Sequence, residues 1–246
     1  MKILAIIPAR MGSTRFPGKP MQKIGDKPMI GHVLDRVRQS NILTETIVAT
    51  CDEEIFDYIS SINGTAIMTK DSHERASDRC AEALLKQEEL VGYKYDIIVM
   101  VQGDEPMTHP DMISEAIQPM IEDQNIMVTN LIAQIEKEDE FLDPNCIKVV
   151  CDVFSDALYF SRQAIPSYNQ KLKTFLGKQV CVIPFRRDFL LEYNSMEPTP
   201  LEIAESVDMM RVLEHGFKVR MIPTHHKTHA VDTPEDLEKV TQLILS

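Results

Sequence analysis

The chain has 246 residues, 26 Lys and Arg against 38 Asp and Glu, a formal net charge of -12 and 43% hydrophobic residues. That apolar fraction excludes a disordered chain, and the length is enough to bury one sizeable core. The acidic balance excludes a protein that wraps nucleic acid through a basic stripe and argues against anionic membranes.

No apolar run approaches the ~20 residues of a spanning helix, and MKILAIIPARMGSTR lacks a long apolar stretch and a small-residue cleavage site. No membrane insertion and a cytoplasmic location are therefore expected. Cys51, Cys80, Cys146, Cys151 and Cys181 are odd in number and never form CxxC, so reduced, mostly buried thiols are expected.

The first strand is read at residues 3–7, a short apolar run. It leads into residues 10–20, RMGSTRFPGKP, which lie where an α/β sheet places a ligand loop. Gly12 and Gly18 relieve crowding, Ser13 and Thr14 bring hydroxyls, and Arg10, Arg15 and Lys19 bring three cations, a composition suited to a polyphosphate. A solvated basic turn is the other reading. The loop matches neither GxGxxG nor GxxxxGK[ST].

A helix follows over 28–39, with Met29, Ile30, Val33, Leu34 and Val37 on one stripe, then a strand at 46–50 and a second helix over 78–90. The strand at 97–101 runs into Gln102, Gly103, Asp104, Glu105 and Pro106. A carboxylate there faces the same crevice as the 10–20 loop, and its hard oxygens suit Mg²⁺, although a turn or helix-cap Asp reads the same way. Strands at 127–132 and 148–151 come next, then a surface loop over 166–177, helices over 186–191 and 201–213, and a last strand at 217–223.

A second acid closes the series in Ala230-Val231-Asp232-Thr233-Pro234, which is also an ordinary helix start with Pro at the first position. Both roles coexist if Thr233 caps the helix and Asp232 points inward. The histidines at 73, 109, 215, 225, 226 and 229 form no HExxH, and the 225–229 cluster is read as a solvated strand end. No GxSxG occurs, which disfavours covalent catalysis. The alternation of apolar runs and helical stripes, without repeats or a linker, predicts an α/β fold in a single domain, 1–246.

IIPARMGSTRFPGKPM, VQGDEP, LYFSRQAIP, RRDFL, ESVDMMRVLEHG and VDTPEDL occur in order over nearly the whole chain. Together they resemble the 3-deoxy-manno-octulosonate (KDO) cytidylyltransferases, also called CMP-KDO synthetases. The resemblance implies a Rossmann-like three-layer sandwich around a mostly parallel sheet, of the nucleotide-diphospho-sugar transferase type, and a homodimer. It implies an Mg²⁺-dependent reaction of CTP with the anomeric hydroxyl of an acidic sugar, giving a CMP-sugar for lipopolysaccharide biosynthesis and pyrophosphate. By position, Arg10 and Lys19 would hold the triphosphate with Ser13 and Arg15, with Ser77 and Gln102 near the nucleotide. Asp104 and Asp232 would carry metal, and Arg79, Gln102, Arg162, Gln179, Glu205 and Asp208 would face the acceptor.

Three segments depart from the family pattern. Residues 73–79 read HERASDR where the family has HxSGTDR or HxSGTER, 179–185 read QVCVIPF in place of HIGIYAY, and 205–211 read ESVDMMR in place of ESLEQLR. Lost hydrogen-bonding groups change which acceptor a sugar pocket selects. An amino-KDO, a nonulosonic acid or a phosphonate is therefore the alternative acceptor, and a nucleotide-binding module without turnover the alternative from another class.

Overall fold

A strand whose seven residues are all buried must be covered on both faces, which is the environment of a central strand in a parallel sheet. This is the state of β1 (Ile3–Ala9) in the computed structural model of the chain, which describes residues 1–12, 16–167 and 175–245. A 3-10 turn at Lys19–Met21 follows, then the hairpin β2 (Lys23–Ile24) and β3 (Lys27–Pro28), and α1 (Met29–Arg38). The chain continues through β4 (Glu45–Thr50), α2 (Glu53–Ser61), β5 (Thr65–Met68), α3 (Ala76–Val91), β6 (Ile97–Val101) and α4 (Pro110–Glu122). Next come β7 (Thr129–Gln134), α5 (Glu138–Leu142), β8 (Lys148–Cys151), β9 (Ala157–Ser161), β10 (Gly177–Val180) and β11 (Val182–Arg186). The last elements are α6 (Arg187–Ser195), α7 (Pro200–Glu205), α8 (Met209–Glu214), β12 (Arg220–Thr224) and α9 (Pro234–Leu245).

These elements divide into two compact units. The first is built from three segments, Met1–Ser114, Phe185–Asn194 and Lys227–Ser246; the second from Glu115–Pro184 and Ser195–His226. The first unit is organised on a five-stranded sheet of order β11-β6-β1-β4-β5, in which β1 pairs parallel with β4 and β6, and β4 parallel with β5. Its crossovers are helices, as parallel pairing requires. The apolar stripe of α1 is buried, including Met29, Ile30, Val33, Leu34 and Val37, as its spacing predicts. The Glu88 carboxylate of α3 is held below the ordinary carboxylate range: burial opposes its charge, but the Arg187 guanidinium (Nη2 to Oε2, 2.7 Å) and the Tyr95 N–H outweigh it.

The second unit carries a sheet of order β12-β7-β10-β8-β9, parallel only between β12 and β7 and antiparallel at its other three pairings. The expected parallel sheet is thus found in the first unit, and a mainly antiparallel one accompanies it in the second. The helix read over 201–213 is two helices: Ser206 adopts φ 52 and ends α7, and α8 starts three residues later. A capping box of Thr199 and Glu202 opens α7. The strand read at 217–223 starts only at Arg220. Seven residues of the loop read at 166–177, positions 168–174, lie outside the described residues.

Candidate active site

The chain leaves β1 at Ala9 and returns at Gly18, whose φ of 70 lies in the left-handed region that a glycine enters without strain. The Gly18 N–H donates to the Met11 carbonyl (3.0 Å), so the intervening loop is pinched at its base. Ser13 and Arg15 lie outside the described residues. Lys19 begins the 3-10 turn and is 9% exposed, an uncommon position for a lysine without a partner.

Its partners are the two acids singled out from the sequence. Lys19 Nζ donates to Asp104 Oδ2 at 2.6 Å and lies 3.5 Å from Asp232 Oδ1. Asp104 follows β6 at the carboxyl end of the parallel sheet, where open α/β sheets bind ligands. Gly103 sits so close to β1 that a Cβ there would lie 2.7 Å from the Pro8 carbonyl oxygen, so any larger residue at that point forces the turn bearing Asp104 or its neighbour to shift. Asp232 is brought in by α9, whose Val240 is buried in a cluster with Ile24, Met29 and Val231, against which Leu237 and Ile244 pack. The Val231 N–H donates to the Asp104 carbonyl (2.9 Å), so one backbone bond ties the two acidic segments together.

The helix-start reading of 232–236 and the inward reading of Asp232 hold together. The Thr233 hydroxyl accepts the Asp236 N–H (3.2 Å), and Asp236 Oδ2 accepts the N–H groups of Asp232 (3.1 Å) and Thr233 (3.0 Å). Burial opposes the Asp236 charge, but these donors and the nearby His229 outweigh it and hold the carboxyl below its ordinary pKa. Asp232, freed from capping, turns its carboxylate to Lys19.

Arg79 and Arg10, among the remaining candidates of the first unit, meet the turn after β5. Arg79 is 2% exposed; its guanidinium donates to the Thr69 hydroxyl, the Lys70 carbonyl (3.3 Å) and the His73 carbonyl (3.4 Å). Arg10 Nη1 donates to the same His73 carbonyl (3.3 Å). The turn is fastened by Glu82, which accepts from His73 Nε2, from the Lys70 N–H (3.0 Å) and from Lys86 Nζ (2.7 Å). Burial works against its charge, yet these donors bring its pKa down to about 2. Ser77 is fully buried in the first turn of α3, and Gln102 is half-buried, its carbonyl accepting the Glu105 N–H (3.3 Å).

Arg162, Gln179, Glu205 and Asp208 belong to the second unit. The Arg162 guanidinium donates to three backbone carbonyls, those of Glu205 (2.7 Å), Pro144 (2.9 Å) and Ser206 (3.2 Å). Glu205 accepts the Arg162 N–H (2.8 Å), the Ser161 hydroxyl (2.9 Å) and the Tyr159 hydroxyl (3.1 Å), which fixes the end of α7 on β9. Behind Arg162, the fully buried Lys148 donates to the carbonyls of Arg162 (2.7 Å), Asp143 (2.7 Å) and Cys146 (2.6 Å), and burial lowers its pKa. Gln179 Nε2 donates to Asn130 Oδ1 (2.6 Å), and Asp208 caps α8 from its backbone, its carbonyl accepting the Arg211 N–H (3.1 Å).

Asp52 is the residue that the motifs do not reveal. It follows β4 at the carboxyl end of the same parallel sheet, and its Oδ2 accepts the Met11 N–H (2.8 Å). An acid just beyond a buried strand, as at Asp104, was the available signal.

The profile of a family described as "Cytidylyltransferase" matches residues 4–228. A 3-deoxy-manno-octulosonate cytidylyltransferase of Geobacter metallireducens is 43% identical, over 98% of this chain and 97% of that protein. One of Fusobacterium nucleatum is 40% identical, over 99% and 97%. A solved structure of CMP:2-keto-3-deoxy-manno-octonic acid synthetase complexed with CTP superposes with a TM-score of 0.91 at 37% identity, covering 100% of this chain and 99% of that one. A cytidylyltransferase from Leptospira borgpetersenii shares the fold at a TM-score of 0.66 and 19% identity, covering 100% and 87%.

Proposed function

The chain belongs to the cytidylyltransferase family, within the CMP-KDO synthetase type, and from that premise we propose that it couples CTP to KDO, giving CMP-KDO and pyrophosphate with Mg²⁺ as cofactor. The observation that carries the reading is the convergence of Asp104 and Asp232 on one cation, Lys19 Nζ, beside a loop whose composition suits a polyphosphate. Two carboxylates meeting at one point offer the hard oxygen donors that Mg²⁺ takes alongside substrate phosphates, so the residues present fit the metal. They would hold it, and when bound it would supply positive charge to the phosphate oxygens.

This chain's own residues do the rest. Lys19 and Arg10 neutralise triphosphate charge as it shifts toward the leaving pyrophosphate, and being fixed in advance they spend no reorganisation energy at that moment. Lys19 also offsets the mutual repulsion of Asp104 and Asp232. In this reading the hydroxyl of the acceptor attacks the α-phosphorus directly, and no nucleophilic side chain is required. Arg79, Gln102, Arg162, Gln179, Glu205 and Asp208 are assigned to the acceptor side, Ser77 and Gln102 to the nucleotide, and the whole chain, 1–246, acts as one cytidylyltransferase domain. A homodimer and a cytoplasmic setting belong to the same proposal and rest on the resemblance. Among the described residues, no helix is long and apolar enough to cross a membrane.

A second reading keeps the chemistry and changes the acceptor. It is favoured by Gln179, which stands where the family has a histidine and whose amide is turned to Asn130. The test is pyrophosphate release from CTP and Mg²⁺ with KDO, 8-amino KDO, a nonulosonic acid and aminoethylphosphonate in separate reactions. Release with KDO is expected, release only with another acceptor moves the assignment to that compound, and no release with any refutes turnover. Asp104→Asn and Asp232→Asn should each lower kcat by orders of magnitude with an unchanged circular dichroism spectrum, since charge is lost with little change of shape. Near-normal turnover by either variant at saturating Mg²⁺ would remove that residue from the metal site.

A further inference from the structure

We propose that Asp52 is a positioning residue that fixes Met11 and, through it, Gly18 and Lys19, and thereby the affinity for CTP; the proposal rests on the reading of the 10–20 loop as the triphosphate site. Asp52 is the N-cap residue of α2, a place where an aspartate ordinarily accepts an N–H of its own helix and contributes about 1 kcal/mol by doing so. Here it makes no such bond. Its Oδ2 instead accepts the N–H of Met11, 41 residues earlier in the chain, at 2.8 Å, with Cys51 Sγ donating to the same oxygen at 3.5 Å. The Asp52 backbone is itself braced, its N–H donating to the Thr50 hydroxyl (3.1 Å) at the fully buried end of β4.

Met11 is held at both of its backbone groups. Its N–H is held by Asp52, and its carbonyl accepts the N–H of Gly18 immediately before Lys19. The carboxylate therefore anchors both ends of the loop to β4 through one residue. A charge-assisted bond is short and directional, so it fixes the peptide plane from which Gly12 departs and the direction in which Lys19 re-enters. The placement also acts by exclusion: an anion on the Met11 amide closes that donor to phosphate. Positioning of this kind matters because displacements well below an ångström already weaken aligned electrostatic contacts.

The test compares wild type, Asp52→Ala and Asp52→Asn in CTP binding by calorimetry and in steady-state pyrophosphate release. Asp52→Ala should raise the Kd and KM for CTP about tenfold, the scale of a hydrogen bond to a charged group, with the acceptor KM unchanged. Asp52→Asn keeps an acceptor oxygen and an equivalent N-cap residue and should restore most of the CTP affinity. Native CTP affinity in Asp52→Ala, or equal rises in both KM values without rescue by Asn, overturns the positioning role. Should Asp52→Ala fail to fold, hydrogen exchange at the Met11 amide decides: protection in wild type and Asp52→Asn supports the role, and rapid exchange in wild type overturns it. A wild-type protein that binds no CTP overturns the reading of the loop and this proposal with it, whereas native affinity in Asp52→Ala overturns the role of Asp52 alone.

Discussion

Gly103→Ala places a methyl group 2.7 Å from the Pro8 carbonyl oxygen, with Ile30 Cδ1 at 3.4 Å and Ala9 Cβ at 3.6 Å closing the other sides. Measured against the ~3.3 Å at which carbon and carbonyl oxygen approach each other, the overlap is roughly 0.6 Å. Pro8 lies on β1, which is locked by pairing with β4 and β6, so the 102–106 turn must yield. Moving it displaces Asp104 from Lys19 Nζ and strains the Val231 N–H bond to the Asp104 carbonyl. Overpacking of this depth costs about 1–3 kcal/mol, which lowers Tm by several degrees in a chain of this length. The shift of the carboxylate should lower kcat on the order of tenfold, given that a displacement of 1 Å costs about a hundredfold. The assay pairs a thermal melt with pyrophosphate release at saturating CTP. A Gly103→Ala protein with native Tm and native kcat would refute the argument, because it would mean that the turn relaxes without moving Asp104.

Two further outcomes are expected. Arg211 and Glu202 form a two-point pair at 2.8 and 2.9 Å with side chains 3% and 0% exposed; Arg211→Met strips the buried carboxylate of its guanidinium and should cost about 3–5 kcal/mol in urea unfolding. The double variant Arg211→Met, Glu202→Met removes the stranded charge but also the acceptor of the Thr199 N–H in the capping box, so it should recover part of that loss, and a double variant less stable than Arg211→Met would show that the stranded charge is not the main cost. The Glu82 pKa of about 2 lies below the ordinary 4.5, so its contribution is complete above about pH 5 and fades as pH falls through the folded value. The Tm advantage of wild type over Glu82→Gln should accordingly shrink between pH 5 and about pH 2, and an advantage that grows on acidification would reverse the sign of the argument.

The central strands were legible for a definite reason. β1, β4 and β6 are buried nearly throughout, so they appear in the chain as unbroken apolar runs. β10, with the sequence GKQV, has no such mark: it is a strand because β7 and β8 pair with it on either side. The break at Ser206 was hidden because apolar residues at 201, 203, 207 and 210 continue a helical rhythm, although Leu201 and Ile203 are exposed at 39% and 65%. Lys19, Asp104 and Asp232 stood out because each follows an apolar run or a glycine-bearing loop inside one of the motifs quoted above, although a basic turn, a turn aspartate and a helix start competed as readings. Asp52 stands at the same kind of place, just beyond the buried strand β4, but it lies in none of the motifs and its partner is the Met11 backbone amide, which side-chain patterns do not mark.

The first unit is laid down in three instalments, and the contact between Lys19 and Asp232 spans 213 residues. Lys19 can meet Asp104 once 85 residues separate them, but the second carboxylate arrives only with the final instalment, after every strand of the other sheet has been passed. A polypeptide emerging from the ribosome therefore carries a loop and one acid long before it carries the pair. The pairing of both carboxylates with Lys19 thus waits on the third segment, and removing residues 227–246 takes away Asp232 and the helix that seats it while leaving the residues of every strand in both sheets.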